Sequence, residues 1–252
     1  MSQSEKARRF RALHIKGKPL VLYNAWDAGS ARAIAAAGSP AIATSSWAVS
    51  EAQGYRDGED IPIDLFELTV ARIASTIDVP VSADFEGGYS ESLDELAFNV
   101  TRLIDLGVIG INFEDRIVKG RGLYPKERQA SRIAAIREAA QRKGVDFFIN
   151  ARTDLFLGQG RDPAQAVDEA IARAEAYAAA GASGLFIPGL VDAALIGRII
   201  EGVTLPVNVM VMDGVPPRDQ LAALGVSRIS YGALPYSRAM RQLEAETKAA
   251  LS

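Results

Sequence analysis

Four acidic residues follow short apolar runs or lie in the loops between them, and together they could hold a divalent cation. Asp84 and Glu86 are two residues apart on a segment expected to be extended, so their side chains point the same way. Glu114 follows a later apolar run, and Asp57 lies in a long loop, where Glu59 is expected to be solvated. Converging carboxylates repel one another unless a positive charge lies between them. Because Mg²⁺ prefers oxygen ligands, we predict a Mg²⁺ site, with Mn²⁺ as the alternative.

The candidates for binding a substrate are polar residues that end other apolar runs. Arg152 presents a planar fork that fits a substrate carboxylate, although a structural ion pair with Glu114 is the alternative. Ser45 and Ser46 offer hydroxyl and backbone N–H donors that suit an anionic oxygen. Asn208, in the seventh predicted strand, completes this set.

Tyr23 and Lys119 are the candidates for proton transfer. The only histidine, His14, lies in a basic N-terminal helix predicted over 1–17 and is expected at the surface. Histidine could therefore act as a general base only if another subunit supplied it. Lys119 belongs to the basic segment 118–128, which is punctuated by glycine. We interpret this segment either as a lid that closes over an anionic substrate or as a solvated loop.

Composition excludes several classes of function. The sequence has no cysteine, which rules out disulfides, thiolate metal sites and cysteine nucleophiles. A net charge of -3 gives no general attraction to nucleic acids or anionic lipids. The N-terminal segment lacks the apolar stretch of a secretion signal, and no window approaches the ~20 apolar residues of a membrane span. We therefore expect a cytoplasmic protein that acts on a small molecule.

The elements that must position these residues alternate between short apolar runs and helical segments. Apolar runs of this length suit buried parallel strands. Four of them follow a glycine that ends a helix, within 34–46, 103–115, 176–189 and 221–232. Four others lie at 19–25, 79–84, 145–152 and 205–210. Helices are predicted at 27–37, 62–76, 92–106, 127–142, 163–180, 191–200 and 217–224, and a C-terminal helix at 233–252.

Eight such units predict an α/β fold, a single-domain (β/α)₈ TIM barrel over residues 1–252. The alternative is an open, doubly wound sheet, which normally carries a glycine fingerprint after its first strand. Here that segment reads YNAWDAGSA, which lacks the fingerprint. In a barrel the C-terminal ends of the strands share one mouth, so we expect most of the candidate residues to meet there.

Over nearly its whole length the chain resembles the isocitrate lyase/phosphoenolpyruvate mutase superfamily. The matching segments are YNAWDAGSARAIAAAG, TSSWA, GYRDGE, SADFEGGY, NFEDR and NARTD, in that order. The resemblance implies a barrel whose C-terminal helix is swapped between subunits of a homotetramer or homodimer. It also implies Mg²⁺ near Asp84, with the other three carboxylates acting largely through water. A 2-oxo acid or its enolate would then chelate the metal, with Arg152 and the Ser45–Trp47 turn on the substrate anion.

The chain departs from this pattern in informative places. Cysteine-dependent isocitrate and methylisocitrate lyases carry Lys-x-Cys-Gly-His after strand four, where this chain reads KGRGLYPKERQ. The phosphonate enzymes carry Pro-Lys followed by Asn-Ser, whereas Pro125-Lys126 is followed here by Glu127-Arg128. Ile187-Pro188-Gly189 replaces the strand-six glutamate or histidine, and Asp84-Phe85-Glu86 replaces the usual Asp-x-Asp.

We therefore expect a Mg²⁺-dependent lyase or decarboxylase. It would cleave a C–C bond of a small 2-oxo or 2-hydroxy acid through a pyruvate-type enolate. The first alternative acts on a P–C bond, as a phosphoenolpyruvate or carboxyphosphonoenolpyruvate phosphonomutase or as a phosphonopyruvate hydrolase. The second alternative is a non-catalytic protein that binds an oxo acid.

Overall fold

The computed structural model of the protein describes residues 1–158 and 162–252, and its centre is one sheet of eight parallel strands. The sheet runs in the order β1-β8-β7-β6-β5-β4-β3-β2, and a parallel bridge between Ala25 and Thr44 brings β1 and β2 together. This arrangement confirms the predicted (β/α)₈ barrel. The strands are β1 Leu20–Leu22, β2 Ile42–Ala43, β3 Val81–Asp84, β4 Gly110–Glu114, β5 Phe148–Arg152, β6 Gly184–Phe186, β7 Val207–Met210 and β8 Arg228–Ser230.

Helices surround the barrel and follow the predicted order, with two differences. The helix α1 ends at Ala12 and not at residue 17, because the chain turns at Gly17 (φ 78°) to bridge Ile15 with Lys18. The helix α3 was not predicted at all. The helices are α1 Gln3–Ala12, α2 Ala28–Ala36, α3 Ser46–Ala52, α4 Ile63–Thr76, α5 Leu93–Asp105, α6 Lys126–Arg142, α7 Pro163–Ala179, α8 Ala193–Gly202, α9 Arg218–Leu224 and α10 Leu234–Leu251.

The strands β3 to β5 separate an apolar layer from a polar one. Phe85, which follows β3, and Phe113 of β4 belong to the main apolar core that packs beneath the helices. Side chains alternate between the two faces of a strand, so Asp84, Asn112 and Asn150 point into the barrel. These inward side chains form hydrogen bonds to one another. The barrel is therefore apolar between its sheet and its helices and polar along its axis.

The helix α3 begins directly after β2 and occupies the first part of the predicted long loop. Ser45 is its N-cap, and its Oγ accepts a hydrogen bond from the backbone N–H of Ala48 at 3.4 Å. The segment is only seven residues long and carries no strong apolar period, which is why the sequence did not predict it. Its first residue, Ser46, lies beside Asp84, so this short helix helps to shape the barrel mouth.

The C-terminal helix α10 has little cover from its own chain. Pro235 is its only buried residue, and Leu243 is 57% exposed. The ring of Tyr236 contacts Trp26 at 5.3 Å and Trp47 at 5.9 Å between ring centroids, which attaches the start of the helix to the barrel. The exchange of this helix between subunits stays a prediction. Within the described ranges, no helix has the length and apolar character needed to cross a membrane.

Candidate active site

Asp84 lies at the end of β3, and hydrogen bonds from two neighbouring elements fix its carboxylate. Its Oδ2 accepts the backbone N–H of Ser46 at 3.0 Å and the hydroxyl of Ser46 at 2.9 Å. Its Oδ1 accepts the amide Nδ2 of Asn112, in β4, at 3.1 Å. A carboxylate offers about four lone-pair sites, so these three donors leave one site for a cation.

Three further carboxylates gather around Asp84, as predicted. Burial raises the pKa of Glu86 to about 8, and repulsion from Asp57 and Asp84 contributes to the rise. Burial also raises the pKa of Glu114 well above its usual value, where attraction to Arg152 is outweighed. The pKa of Asp57 is raised for the same reason, and repulsion from Asp84 contributes to the rise. These mutual effects place the four carboxylates at one mouth, and a bound cation would relieve their repulsion.

The donor set of this mouth fits Mg²⁺. Among the described residues, no group of three Asp, Glu, His or Cys side chains is close enough to ligate one ion directly. Mg²⁺ keeps several waters and is usually bound by one or two carboxylates, so it does not need such a cage. Asp84 is the best-placed direct ligand, and the other three carboxylates can reach an ion through water.

Glu59 is a site residue that the sequence analysis missed. We expected it to be solvated, but it is only 9% exposed. Its backbone N–H donates to Oε2 of Glu86 at 3.0 Å, and its own Oε1 accepts the backbone N–H of Tyr89 at 2.8 Å. All three residues have left-handed backbone angles, with φ of 56° at Glu59, 48° at Glu86 and 60° at Tyr89. Such strain persists only where the surroundings hold it, and it concentrates at functional sites.

The loop after β3 needs its two glycines. A Cβ on Gly87 would lie 2.7 Å from a methyl of Val118, and Gly88 has φ 84° with no room for a side chain. The buried side chain of Arg132 reaches this loop from α6, and its Nη2 donates to the carbonyls of Gly87 and Ser90, the latter at 3.0 Å. The loop that carries Glu86 is therefore held by packing and by hydrogen bonds.

Arg152 ends β5 beside the carboxylates, but its fork is already engaged. Its Nε and Nη2 donate to the two oxygens of Asp154 at 2.6 and 3.0 Å, and its Nη1 lies 2.9 Å from Oε2 of Glu114 in an ion pair. The alternative interpretation, a pair with Glu114, is therefore present, and Asp154 is an unforeseen second partner. Arginine has five N–H donors, and the two described hydrogen bonds to Asp154 use only two of them.

The Ser45–Trp47 turn mainly positions Asp84, because the described hydrogen-bond donors of Ser46 already bind that carboxylate. Ser45 caps α3, and both donors of Ser46 bind Asp84. The hydroxyl of Ser46 also lies 3.2 Å from Oδ1 of Asp57. The ring of Trp47 packs against Tyr236. A direct role of this turn in binding the substrate anion stays a prediction.

Two cavities adjoin the mouth. One, of about 280 Å³, is lined by Glu59, Arg116, Lys119 and Arg132 among others. The second, of about 440 Å³, is lined by Arg116, Leu123 and Asp154 among others. Arg116 lines both cavities, so it is a cation at the site that the sequence analysis did not single out. It lies close enough to Asp57 to lower the pKa of that carboxyl, against the larger effect of burial.

Comparisons with known proteins establish the family. Residues 10–251 match the phosphoenolpyruvate phosphomutase family. The chain belongs to this family. It is therefore a member of the isocitrate lyase/phosphoenolpyruvate mutase superfamily, a group that contains lyases and mutases. The resemblance found in the sequence is confirmed.

Individual relatives of this family member span several reactions. A candidate phosphonomutase from Burkholderia cenocepacia J2315 has a crystal structure that matches with a TM-score of 0.95 and 45% identity, covering 99% of this chain and 100% of that one. The 2-methylisocitrate lyase of Escherichia coli (strain K12) is 29% identical, covering 82% of this chain and 70% of its own. An oxaloacetate decarboxylase from Marinomonas sp. (strain MWYL1) is 28% identical, covering 95% and 83%. The family is thus established, and the individual reaction is not.

A more distant relative of the same fold was solved with a ligand and a metal ion. A phosphonopyruvate hydrolase solved with oxalate and Mg²⁺ shares the fold, with a TM-score of 0.83 and 23% identity over 97% of this chain and 87% of that one. That protein therefore binds the ion and a small dicarboxylate on the same barrel architecture.

Two predicted residues lie outside the mouth of this superfamily member. The ring of Tyr23 contacts that of Tyr231 in a tilted arrangement with 5.0 Å between centroids, and Tyr23 lines an outer cavity with Ala33 of α2 and Arg218 of α9. Asn208 is fully buried, where its Nδ2 donates to the hydroxyl of Ser230 at 2.9 Å and to a backbone carbonyl. The roles predicted for these residues, in proton transfer and in substrate binding, stay predictions.

His14 is not at the surface, contrary to our expectation. Its ring stacks on Phe148 at 4.1 Å, and its Nδ1 lies 2.8 Å from the carbonyl of Phe10. Burial lowers the pKa of His14 to about 3, so the ring is neutral. Phe148 begins β5, which places His14 at the end of the barrel opposite the mouth. Within one chain, this histidine cannot serve the carboxylate site.

The basic segment after β4 folds back on itself. Arg116 pairs with Leu123 in an antiparallel bridge, and the backbone N–H of Tyr124 donates to the carbonyl of Asp115 at 2.8 Å. The carboxylate of Asp115 accepts the hydroxyl of Tyr177 at 2.9 Å, which anchors the base of this loop. Whether the loop opens and closes as a lid stays a prediction.

Proposed function

We propose that this protein is a Mg²⁺-dependent lyase or decarboxylase that cleaves a C–C bond in a small 2-oxo or 2-hydroxy acid. The observation that carries the proposal is the carboxylate of Asp84, which three donors orient among three other acidic groups beside Arg152. Asp84 would hold the ion directly, and the other carboxylates would act through water. Mg²⁺ held there supplies Lewis-acid chemistry toward the carboxylate and 2-oxo oxygens of a substrate.

The protein's own residues would bind and orient the substrate anion. Arg152 has five N–H donors, of which two bind Asp154 in the described structure, and its ion pairs with Glu114 and Asp154 hold the guanidinium in place. Arg116 and Asp154 both line the second cavity. Guanidinium groups bind carboxylates through charge-assisted hydrogen bonds. Arg152 is therefore proposed for the carboxylate of the reacting 2-oxo acid and Arg116 for a second anionic group.

Lys119 is the proposed proton donor. Of the two predicted candidates, only Lys119 lines a cavity that adjoins the carboxylates. With oxaloacetate, the bond between C3 and C4 would break and CO₂ would leave, with the electron pair becoming the enolate of pyruvate. Lys119 Nζ would then donate a proton to C3 and give pyruvate. The similarity to oxaloacetate decarboxylase supports this direction.

Chemistry at a P–C bond is the second candidate. The similarity to a candidate phosphonomutase at 45% identity favours it. The segment after Pro125-Lys126 argues against it, because Glu127-Arg128 stands where the resemblance would require Asn-Ser. A non-catalytic oxo-acid-binding protein is the third candidate. We also propose that the protein is cytoplasmic and has no nucleic acid or membrane partners. We propose further that it assembles as a homotetramer or homodimer, and the sparse cover of α10 supports this assembly.

A product assay separates the three candidates. Purified protein is incubated with oxaloacetate, substituted malates and phosphonopyruvate, each with Mg²⁺ and with EDTA. Mg²⁺-dependent release of pyruvate from a carbon acid supports the proposal. Release of phosphate from phosphonopyruvate, or its conversion to phosphoenolpyruvate, would assign the second candidate, and binding of oxalate without any turnover would assign the third.

Two variants test the metal assignment in the same assay. Asp84→Asn removes the charge of the proposed ligand and should lower turnover by more than about 100-fold, since even residues that only support metal ligands cost about 10–100-fold. Asp78→Asn is the matched control, because Asp78 is an exposed aspartate just before the opposite end of β3. Full activity in Asp84→Asn would contradict the proposal.

A further inference from the structure

A chain of buried hydrogen bonds joins Arg228, at the start of β8, to Asp84 across the barrel axis. Arg228 Nη2 donates to Oδ1 of Asn112 at 3.1 Å. Asn150 Nδ2 donates to the same Oδ1 at 2.9 Å. The Nδ2 of Asn112 then donates to Oδ1 of Asp84 at 3.1 Å. Solvent has little access to these hydrogen bonds, because each of the three residues Arg228, Asn112 and Asn150 is at most 4% exposed.

The direction of this chain follows from the chemistry of arginine. A guanidinium group has donors and no acceptor, so whatever Arg228 contacts must accept. Asn112 therefore turns its oxygen toward Arg228, and Asn150 donates to that same oxygen. The amide nitrogen of Asn112 is then forced to face Asp84. A flipped Asn112 would point an oxygen at the carboxylate and an N–H₂ group at two donors.

The barrel is built to allow this chain. The sheet pairs Asp84 with Asn112 and Asn112 with Asn150, so their inward side chains are direct neighbours. Asn150 also donates to Oδ1 of Asn208, two strands away, at 3.0 Å. Gly184 lies between these strands, and a Cβ there would come within 2.8 Å of Oδ1 of Asn150. Glycine at this position leaves the space that the polar row occupies.

We propose that Arg228 is a positioning residue that sets the orientation of Asp84 through Asn112. The inference rests on the proposed function, since it assigns Asp84 the role of metal ligand. Groups that hydrogen-bond to metal ligands commonly change metal affinity by about 10–100-fold when they are removed. Arg228 acts in this way from the far side of the barrel, without touching substrate.

The surroundings of Arg228 argue against a purely structural role. Its Nε and Nη1 have no hydrogen-bond partner among the described residues, although the side chain is only 1% exposed. Burial lowers the pKa of Arg228 to about 9, so it is still charged at neutral pH. A buried charge with unsatisfied donors is costly to the fold. Replacing it with methionine should therefore leave the melting temperature unchanged or raise it.

The Arg228→Met variant separates two explanations, because loss of a positioning residue would weaken metal binding and loss of a nearby positive charge would strengthen it. The affinity for Mn²⁺, measured by electron paramagnetic resonance, is compared between this variant and the unmodified protein. If Arg228 orients Asp84, the dissociation constant should rise about 10–100-fold, with no loss of melting temperature. If Arg228 acted only as a nearby positive charge, its removal would tighten the binding of a cation. Unchanged or tighter Mn²⁺ binding therefore overturns the proposal.

A double-mutant cycle tests the route through Asn112. Asn112→Ala should weaken Mn²⁺ binding to a similar extent, and the double variant should be no weaker than Asn112→Ala alone, because coupled residues are not additive. If the double variant instead shows the product of the two single losses in affinity, Arg228 acts by another route. Ser82→Ala is the control. Ser82 is fully buried, is two residues before Asp84 and has no described partner for its hydroxyl, so Mn²⁺ affinity should stay within about twofold.

The remaining outcomes are also decisive. If Arg228→Met does not fold, the expectation for its stability is wrong. The Mn²⁺ affinities of Asn112→Ala and Ser82→Ala then decide whether this hydrogen-bond route positions Asp84. If the unmodified protein binds Mn²⁺ and shows the cycle but turns over no carbon acid, the proposed reaction fails and this inference stands. Absence of Mn²⁺ binding by the unmodified protein would overturn both.

Discussion

At the scale of single residues, the site depends on carboxylates that are held in unusual backbone conformations. Glu59 accepts the backbone N–H of Tyr89 and donates its own N–H to Glu86, and all three have positive φ. Burial raises the pKa of Glu59, while Tyr89, Lys119 and Arg132 lower it in part. Glu59 therefore fastens the loop of Asp57 to the loop of Glu86.

Glu59→Ala should lower the free energy of unfolding by about 1–3 kcal/mol, because the amide of Tyr89 loses its acceptor in a buried place. Asp60→Ala is the matched control. Asp60 is exposed and accepts one hydrogen bond, from Arg56, so its removal should cost no more than about 0.5 kcal/mol. Urea denaturation of both variants measures the difference. Equal losses would show that Glu59 does not fasten the two loops.

The sequence was sufficient to predict the residues whose chemistry follows from type and position at a strand end. Asp84, Glu86, Glu114 and Arg152 belong to this group, because parallel strands bring their ends to one mouth. Glu59 could not be found in this way. Its burial depends on how a fifteen-residue loop, which we predicted over 48–62, packs over the site, and no local pattern in that loop specifies the contact.

At the scale of elements, α1 closes the end of the barrel opposite the site. Phe10 contacts Phe148 edge-on at 5.3 Å, and His14 stacks on the same ring. Arg11 anchors the helix from outside through two hydrogen bonds to Asp146 at 2.7 and 2.6 Å. The basic N-terminal segment is thus part of the barrel floor, and His14 is one of its packing residues.

The titration of His14 should make stability fall in mild acid. Its pKa is about 3 in the folded protein and 6.5 in the unfolded chain, so the unfolded state takes up a proton first as pH falls. From pH 6.5 to pH 5 this costs about 1–2 kcal/mol of folding free energy. His14→Phe removes the titration and keeps an aromatic ring against Phe148.

Denaturant unfolding of both proteins at several pH values isolates this effect. Buried carboxylates such as Glu86 have the opposite sign, since a raised pKa stabilises the folded state as pH falls. Both proteins carry those carboxylates, so only the difference between the two proteins reports His14. A constant difference from pH 6.5 to 5 would contradict the assignment of a buried, neutral histidine.

Element positions were largely predictable, because apolar runs and glycines after helices define strands and helix ends. The exceptions have local physical causes. The helix α3 is short and is started by a serine cap, which also suits a turn. The helix α1 ends early because the chain folds into a tight turn around Gly17. Side-chain direction in the barrel was harder to predict: Tyr23 lines an outer cavity, and Asn208 is buried within the barrel.

At the scale of the whole molecule, the barrel and the family follow from the sequence, whereas the bond that is broken does not. The fold fixes where the carboxylates meet, and family members share that fold. We propose that the cavities beside the mouth select the substrate; Arg116 lines both of them, and Lys119 lines the first. This loop departs from the patterns of both lyases and phosphonate enzymes, so neither pattern identifies its ligand.

The exposed C-terminal helix α10 bears on how copies of the chain assemble. Along α10 only Pro235 is buried, and Leu243 and Leu251 are 57% and 84% exposed. Exposed apolar side chains on one helix favour contact with another copy of the chain. We expect size-exclusion chromatography with light scattering to give a dimer or tetramer, and a monomer at micromolar concentration would contradict the predicted exchange of this helix.

We propose that the four carboxylates hold a divalent cation, which in turn holds a 2-oxo acid or its enolate. Oxalate is a planar dianion that resembles the enolate of pyruvate, so its binding, measured by isothermal titration calorimetry, reports whether this site forms. We predict that oxalate binds in the presence of Mg²⁺, that EDTA abolishes the binding, and that Asp84→Asn abolishes it while Asp78→Asn does not. Oxalate binding that is equal with Mg²⁺ and with EDTA, or that survives in Asp84→Asn, would contradict the account.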